Sequence, residues 1–278
     1  MQKVFSEKHH PMKIIVSKTA AELGRNAADF IAGKINAAIA AKGEARIVLS
    51  TGASQLTTLE PLIGKDIDWT KVTMFHLDEY VGLPETHIAS FRKYLRERFI
   101  EKVPLKAAYL VDGTKEGIAG LTAELRRAPI DVGLIGIGEN AHIAFNDPPA
   151  DFDTREAYII VNLNDTCKKQ QVGEGWFATV DDVPKQAVSM TVWQILQCET
   201  IVSCVPYAVK ADAVKKTLEN DATNLIPATV LKAHGDCTLF VDTDSFAKVN
   251  AGAIRPAPGK SCDIETKELT CSVCKGRE

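Results

Sequence analysis

The sequence predicts an α/β protein: a doubly wound, mostly parallel sheet with helices on both faces, three layers forming a single domain. Three observations lead there. Short apolar runs of strand length alternate with helical patterns along most of the chain, as in parallel strands joined by right-handed crossovers. Glycine- and hydroxyl-rich segments follow two of these runs, at Thr51-Gly-Ala-Ser54 and Gly136-Ile-Gly138, where an open parallel sheet holds its ligands. Neither an internal repeat nor a linker interrupts the pattern before residue 250. The expected division is an N-terminal arm over 1–11, an α/β domain over 12–249 and a C-terminal extension over 250–278.

Met12-Lys-Ile-Ile-Val-Ser17 reads as the first strand. Thr19-Ala-Ala-Glu22 has the pattern of a capping box, opening a helix that runs to about Ala41 and stops at Gly43. Arg46-Ile-Val-Leu-Ser50 is the second strand, followed by the hydroxyl-rich turn and a helix to about Leu62. The third strand, Val72-Thr-Met-Phe-His-Leu-Asp78, ends on acid. Gly82, Pro84 and Thr86 mark a loop before a helix that Ser90 starts. A short strand at 107–111 and a helix at 115–127 lead to the next strand, whose Val132, Leu134, Ile135 and Ile137 form a run too short for a helix. Further strands are expected at 157–162, 188–192, 200–205 and 237–242. Helices are expected up to residue 198, at 207–218 and at 243–249, with loop plus helix at 224–234. Gly173 and Gly175 argue against one continuous helix over 165–177, and periodicity fades after 250.

With 45% hydrophobic and 25% charged residues, the 278-residue chain has the composition of an ordinary globular protein with ample core. A formal net charge of -3 supplies no global basic field, so nucleic acid is not an expected partner. No apolar run approaches the ~20 residues of a membrane span. The N-terminal Met-Gln-Lys-Val-Phe-Ser-Glu lacks a signal-peptide apolar region, so a cytoplasmic location without a membrane partner is expected. Cys167, Cys198, Cys204 and Cys237 are scattered as buried thiols usually are. Cys262, Cys271 and Cys274 cluster near the end and include a Cys-x-x-Cys. The second pair of a zinc knuckle is missing, so no metal is assigned.

Chemistry concentrates at three expected strand ends. Backbone N–H groups of Thr51-Gly52-Ala53-Ser54 would open a helix and, with two hydroxyls, form an anion site. The Gly-Lys-Ser/Thr ending of an ATP-binding loop is absent, and an ordinary helix start would look the same. Asp78 and Glu79 close the third strand, where partial desolvation makes a carboxylate a general base and full hydration leaves it a loop acid. Asn140, His142 and Asp147 follow Gly136 and Gly138, which let the backbone turn tightly against a ligand. Imidazole suits proton transfer near neutral pH, and a carboxylate beside it would orient it. A base, an acid/base histidine and an anion grip suit proton chemistry on a small phosphorylated substrate, with no cofactor.

Together, Thr51-Gly-Ala-Ser, Phe75-His-Leu-Asp-Glu-Tyr-Val-Gly-Leu-Pro84 and Gly136-Ile-Gly-Glu-Asn-Ala-His-Ile-Ala-Phe-Asn-Asp-Pro148 resemble the glucosamine-6-phosphate deaminase (isomerase) family. Asp182-Val-Pro-Lys-Gln-Ala and Ile226-Pro-Ala are similar to it as well, and the resemblance covers roughly residues 12–248. It implies Asp78 as the base that moves the C2 proton to C1, and His142 as the group that assists ring opening at O1 and O5. It implies that Asn140 and Asp147 position His142, and that Thr51, Gly52, Ala53, Ser54 and Lys210 hold the 6-phosphate. The implied substrate is glucosamine 6-phosphate or a close amino-sugar phosphate such as galactosamine 6-phosphate. The implied products are fructose 6-phosphate and ammonia, with no redox cofactor and no obligatory metal. Homo-oligomer formation is left open.

Three positions depart from the family pattern. Asn140 stands where the family has an aspartate; an amide orients but carries no charge at neutral pH. Asp147 replaces a glutamate, withdrawing the carboxylate by roughly 1.5 Å. Gly173-Glu-Gly-Trp-Phe177 replaces an Asn-Ser-Arg-Phe-Phe segment whose arginine grips phosphate, leaving Lys168 or Lys169 as substitutes that are point charges rather than forks. Two rival readings remain. A 6-phosphogluconolactonase-type hydrolase would have Asp-Glu-Arg and His-Thr-Ala-Ser-Leu-Phe-Pro where this chain has Tyr80 and Ile143-Ala-Phe-Asn. A sugar-phosphate sensor of the DNA-binding kind would need a helix-turn-helix module before the first strand, where only about eleven residues stand. A sensor without DNA binding is the remaining alternative.

Overall fold

The computed structural model describes residues 11–267. Nearly all of the expected arm, and Cys271 and Cys274 of the extension, lie outside the described residues. In chain order the elements are β1 (Met12–Ser17), α1 (Ala20–Lys42), β2 (Ala45–Leu49), α2 (Ala53–Ile63), β3 (Val72–His76), β4 (Asp78–Tyr80), α3 (Phe91–Arg98), β5 (Ala107–Tyr109), α4 (Lys115–Leu125), β6 (Val132–Leu134), β7 (Tyr158–Asn162), α5 (Asp165–Gly173), β8 (Gln186–Met190), α6 (Val192–Ile195), β9 (Thr200–Val205), α7 (Ala211–Glu219), β10 (Cys237–Asp242), α8 (Thr243–Phe246) and β11 (Cys262–Lys267).

Eight strands form one sheet in the order β11-β1-β10-β9-β6-β2-β3-β5, with every pairing parallel. Side chains alternate across a strand, so each face needs its own apolar cover. On one face Leu23, Ile31 and Ile35 of α1, Leu59 and Leu62 of α2 and Leu95 of α3 pack over Ile47, Met74, Val202 and Phe240. On the other, Leu121 and Leu125 of α4, Ile195 of α6 and Val214 and Leu218 of α7 cover Ile14, Val48, Phe75 and Leu239. The doubly wound, three-layer expectation is met. Thr19 caps α1 by accepting from the Glu22 N–H, while the Glu22 carboxylate accepts from the N–H of Lys18. Gly43 ends the helix at φ 79, a left-handed conformation that favours glycine.

The structure differs from the sequence reading in several places. The third strand does not run to Asp78. It leaves the main sheet at Leu77, whose N–H still reaches the Leu49 carbonyl while its own carbonyl accepts from the N–H of Met190. Asp78 therefore opens β4, in a second antiparallel sheet of order β4-β8-β7. The strands expected at 157–162 and 188–192 exist, but as members of this small sheet. Tyr80 draws the chain aside: it is fully buried among Phe91, Phe145 and Phe177. The expected helix within 224–234 is a 3-10 helix over Pro227–Ala233. The extension contributes β11, paired in parallel with β1 from Met12↔Cys262 to Ser17↔Lys267. Most of its side chains are exposed, which removes the apolar alternation that would have marked it.

Candidate active site

A cavity of about 730 Å³ opens beyond the carboxyl ends of β2, β3, β6 and β9. Its walls include residues 50–54, Asp78, Tyr94, residues 136–140, His142, Lys169, Glu174, Trp176 and Lys210. Of the site residues implied by the family resemblance, all line it except Asp147, which stands behind His142.

Asp78 and Glu79, adjacent in β4, project to opposite sides. Asp78 is 6% exposed and faces the cavity. Burial, reinforced by the neighbouring Glu79 charge, pushes its carboxyl up to about 8. Glu79 is fully buried and turned toward the start of α3. There it accepts from the backbone N–H groups of Tyr80 (2.9 Å), Phe91 (3.3 Å) and Arg92 (2.8 Å), from the Ser90 hydroxyl (2.9 Å) and from Arg92 Nε (3.3 Å). Glu79 is therefore a helix-capping carboxylate at a positive dipole end. No feature of the local sequence distinguishes these two acids.

His142 is held by a triangle. Its Nδ1 lies 2.5 Å from Asn140 Oδ1 and 3.2 Å from Asp147 Oδ1, and Asn140 Nδ2 donates to Asp147 Oδ1 at 3.1 Å. The His142 backbone N–H also donates to Asn140 Oδ1, at 3.1 Å. Both oxygens facing Nδ1 can only accept, so Nδ1 carries a hydrogen, and in the neutral tautomer the lone pair is on Nε2. The shortened Asp147 thus reaches the imidazole directly. Burial works to raise the Asp147 pKa, but contacts with His142, Asn140 and Cys167 outweigh it and hold the carboxyl below its ordinary value. The imidazole packs onto Gly138, where a Cβ would come within 2.1 Å of His142 Cε1. That glycine is required by the ring; its φ is not positive, so the turn itself does not demand one.

At the other end of the cavity, α2 begins at Gly52 with φ 111, no side-chain cap and no acid in its first turn. The first amides of a helix lack an i−4 acceptor; here the Gln55 N–H turns back to the Gly52 carbonyl at 3.0 Å, which leaves those of Ala53 and Ser54. The Tyr94 hydroxyl donates to the Gly52 carbonyl at 2.9 Å and steadies the loop. Lys210, 8% exposed, sits where β9 turns into α7. Burial lowers its pKa, opposed by Glu174 and Glu139. It makes no salt bridge among the described residues. Of the two lysines named as replacements for the missing arginine, Lys169 lines the cavity and Lys168 does not. Glu174, braced by Gln170 Nε2 (2.7 Å) and Trp176 Nε1 (3.0 Å), also faces inward. The sequence reading missed Tyr94, Glu174, Trp176 and the buried Gln55; only Gln55, directly after the hydroxyl-rich loop, had a local signal. Among the described residues no group of three His, Cys, Asp or Glu side chains could hold a metal ion.

A ligand cavity beyond the carboxyl ends of parallel strands and beside a helix N-terminus marks the class of doubly wound α/β domains with a small-molecule site. Comparison with known proteins makes the assignment narrower. The family described as glucosamine-6-phosphate isomerases/6-phosphogluconolactonase matches residues 18–240, and the chain belongs to it. A glucosamine-6-phosphate deaminase from Lactobacillus delbrueckii subsp. bulgaricus is 32% identical over 235 residues, 83% of this chain and 97% of that protein. One from Streptococcus suis is 33% identical over 242 residues, 86% of this chain and 100% of that protein. Among solved structures, a monomeric glucosamine-6-phosphate deaminase superposes with a TM-score of 0.77 at 28% identity, covering 85% of this chain and 100% of the other. A 6-phosphogluconolactonase from Shewanella baltica shares the fold, with a TM-score of 0.68 at 20% identity over 83% of this chain and 97% of the other.

Proposed function

We propose that the protein converts glucosamine 6-phosphate, or a close amino-sugar phosphate, and water to fructose 6-phosphate and ammonia. One observation carries this reading: the buried Asp78 carboxyl shares a cavity with the His142 imidazole, the uncapped start of α2 and the Lys210 side chain. The Ala53 and Ser54 amides of α2, the Thr51 and Ser54 hydroxyls and Lys210 hold the phosphate. His142, with Nδ1 committed to Asn140 and Asp147, uses Nε2 to take the O1 proton and return a proton to O5 as the C1–O5 bond breaks. The open-chain aldehyde acidifies the C2 hydrogen. Asp78 removes that proton and delivers it to C1 while a proton passes from the C2 nitrogen to O1, leaving a C2 imine; water adds there and ammonia leaves. A carboxyl raised toward 8 suits the task, since a general base works best with a pKa near the working pH. Among the described residues no helix is long and apolar enough to cross a membrane.

The test is to incubate the purified protein with glucosamine 6-phosphate and galactosamine 6-phosphate and to measure fructose or tagatose 6-phosphate and ammonia. Asp78→Asn should lower kcat at least ~10²-fold, the lower range of general base catalysis, while substrate binding stays measurable. Hydrolysis of 6-phosphogluconolactone without ammonia release from either amino sugar would establish the hydrolase instead. Binding without turnover would leave the sensor.

A further inference from the structure

We propose that Gln55 is a positioning residue that commits the Ser54 hydroxyl to donating, so that the phosphate end of the cavity selects acceptor-only anions. This rests on the phosphate-holding role given above to residues 51–54. Gln55 is the third residue of α2, fully buried beneath the loop. Its Nε2 lies 3.2 Å from the Cys204 carbonyl oxygen and 3.1 Å from Ser54 Oγ. The carbonyl can only accept, which settles which end of the amide faces it: the nitrogen, with two hydrogens to give. One goes to Cys204 and the other to a lone pair of Ser54 Oγ. A hydroxyl whose lone pair is filled from below has its single hydrogen left for another partner. Ser54 lines the cavity, so that hydrogen is available to a bound anion.

The surroundings are built to admit the amide. Gly136 passes so close that a Cβ there would lie 3.1 Å from Nε2. Gln55 thereby touches three segments that shape the cavity: the start of α2, the Gly136 turn after β6, and β9. Its Oε1 is buried with no hydrogen-bond partner among the described residues. An unmatched buried acceptor is costly, and an apolar side chain of the same length would fill the space without it. Packing alone therefore does not account for an amide here; the two donated hydrogens do. Beside the Thr51 hydroxyl, which turns either way, the phosphate end then presents donors: the Ala53 and Ser54 amides, the Ser54 O–H and the Lys210 ammonium. An unphosphorylated sugar, whose 6-hydroxyl has one oxygen to offer, would leave most of them unmatched.

Inorganic phosphate titrated calorimetrically gives a Kd that does not depend on turnover, and KM for glucosamine 6-phosphate is followed in parallel. Gln55→Met keeps the length and removes both donors. It should raise Kd and KM by about 3- to 10-fold, as loss of one oriented hydrogen bond would, with kcat falling less than KM rises. Gln55→Glu should do more, because an acceptor then claims the Ser54 hydrogen and adds a negative charge below the anion. Ser54→Ala should weaken phosphate similarly, and adding Gln55→Met to it should weaken it no further. Ser54→Thr should restore binding relative to Ser54→Ala, a comparison independent of whether any variant at 55 folds. Equal losses from Gln55→Met in the presence and absence of the Ser54 hydroxyl would reduce Gln55 to a packing role and overturn the proposal. So would equal binding by Ser54→Thr and Ser54→Ala, or no phosphate binding by the unaltered protein. Phosphate binding that follows these expectations without amino-sugar turnover would keep this inference and remove the deaminase reading.

Discussion

Asp78 and Glu79 show how little residue type decides. Both are carboxylates, both are buried, and they are neighbours in β4. Strand alternation sends one to the cavity and the other to the N-terminus of α3, where five donors satisfy it. Asp78 is pushed up to about 8, first by burial and then by the Glu79 charge. A base must be ionised to act, so kcat/KM should rise with pH along an acid limb near 8. Glu79→Gln removes the second cause and should move that limb to lower pH, whatever it costs in capping. A pH–rate profile of the two proteins checks this, and an unmoved limb in the variant would contradict the assignment. Asp78, His142, Asn140 and Asp147 were legible as candidates because each stands in a short contiguous motif. The division of labour between Asp78 and Glu79 was not legible, because four of the five donors that claim Glu79 lie 11 to 13 residues along the chain.

Among the elements, α1 and α2 decide where residues 51–54, the proposed phosphate loop, sit. Gly24 of α1 meets Thr57 of α2 so closely that a Cβ would fall 1.8 Å from the Thr57 carbonyl oxygen. Gly33, on the exposed side of the same helix, has nothing within 4 Å of its would-be Cβ. The same substitution should therefore have opposite signs at the two places. Gly33→Ala should stabilise by roughly 0.5–1 kcal/mol through helix propensity alone. Gly24→Ala gains as much in propensity but forces two helices apart, and overpacking at about 1–3 kcal/mol should win. Because α2 carries residues 53–54, the Gly24 variant should also raise KM for a phosphorylated substrate. Urea unfolding reads the first effect and steady-state kinetics the second; like-signed stability changes would show that the helix contact yields easily. The main strands were legible from apolar runs buried on both faces. The second sheet was not recognised as separate, because Val72–His76 and Asp78–Tyr80 form one unbroken stretch in sequence. Only the hydrogen bonds on either side of Leu77 divide it. The edge strand β11 has an exposed side chain at nearly every position, so no periodicity announced it.

At the scale of the whole molecule, the site is maintained against the stability of the fold. Asp78 has an ordinary pKa of 3.8 and is raised to about 8 in the folded protein. Native protein therefore keeps a proton that the unfolded chain releases throughout the window from about 4 to about 8. Stability falls wherever the native state binds more protons than the unfolded one. The contribution is fully present below the unfolded value, declines across the window and is gone above the folded value. One pKa unit corresponds to about 1.4 kcal/mol, so the decline amounts to a few kcal/mol. Asp147, whose carboxyl is held below its ordinary value, acts in the opposite sense: its contribution is lost as pH falls through the folded value. It is common to wild type and to any variant at 78, so it cancels in their difference. Asn at 78 cannot ionise and lacks the slope. Asp78→Asn should thus differ little from wild type near pH 4.5 and become more stable by a few kcal/mol near pH 8.5, while losing turnover. A protein that gains stability by losing its base has kept that base for function at the fold's expense. The measurement is denaturant unfolding of both proteins at the two pH values, with equal m values to show that the unfolded states are alike. If the stabilities of the two proteins run parallel with pH, Asp78 is ionised in the folded state well below 8, and the acid limb predicted for catalysis loses its physical basis as well.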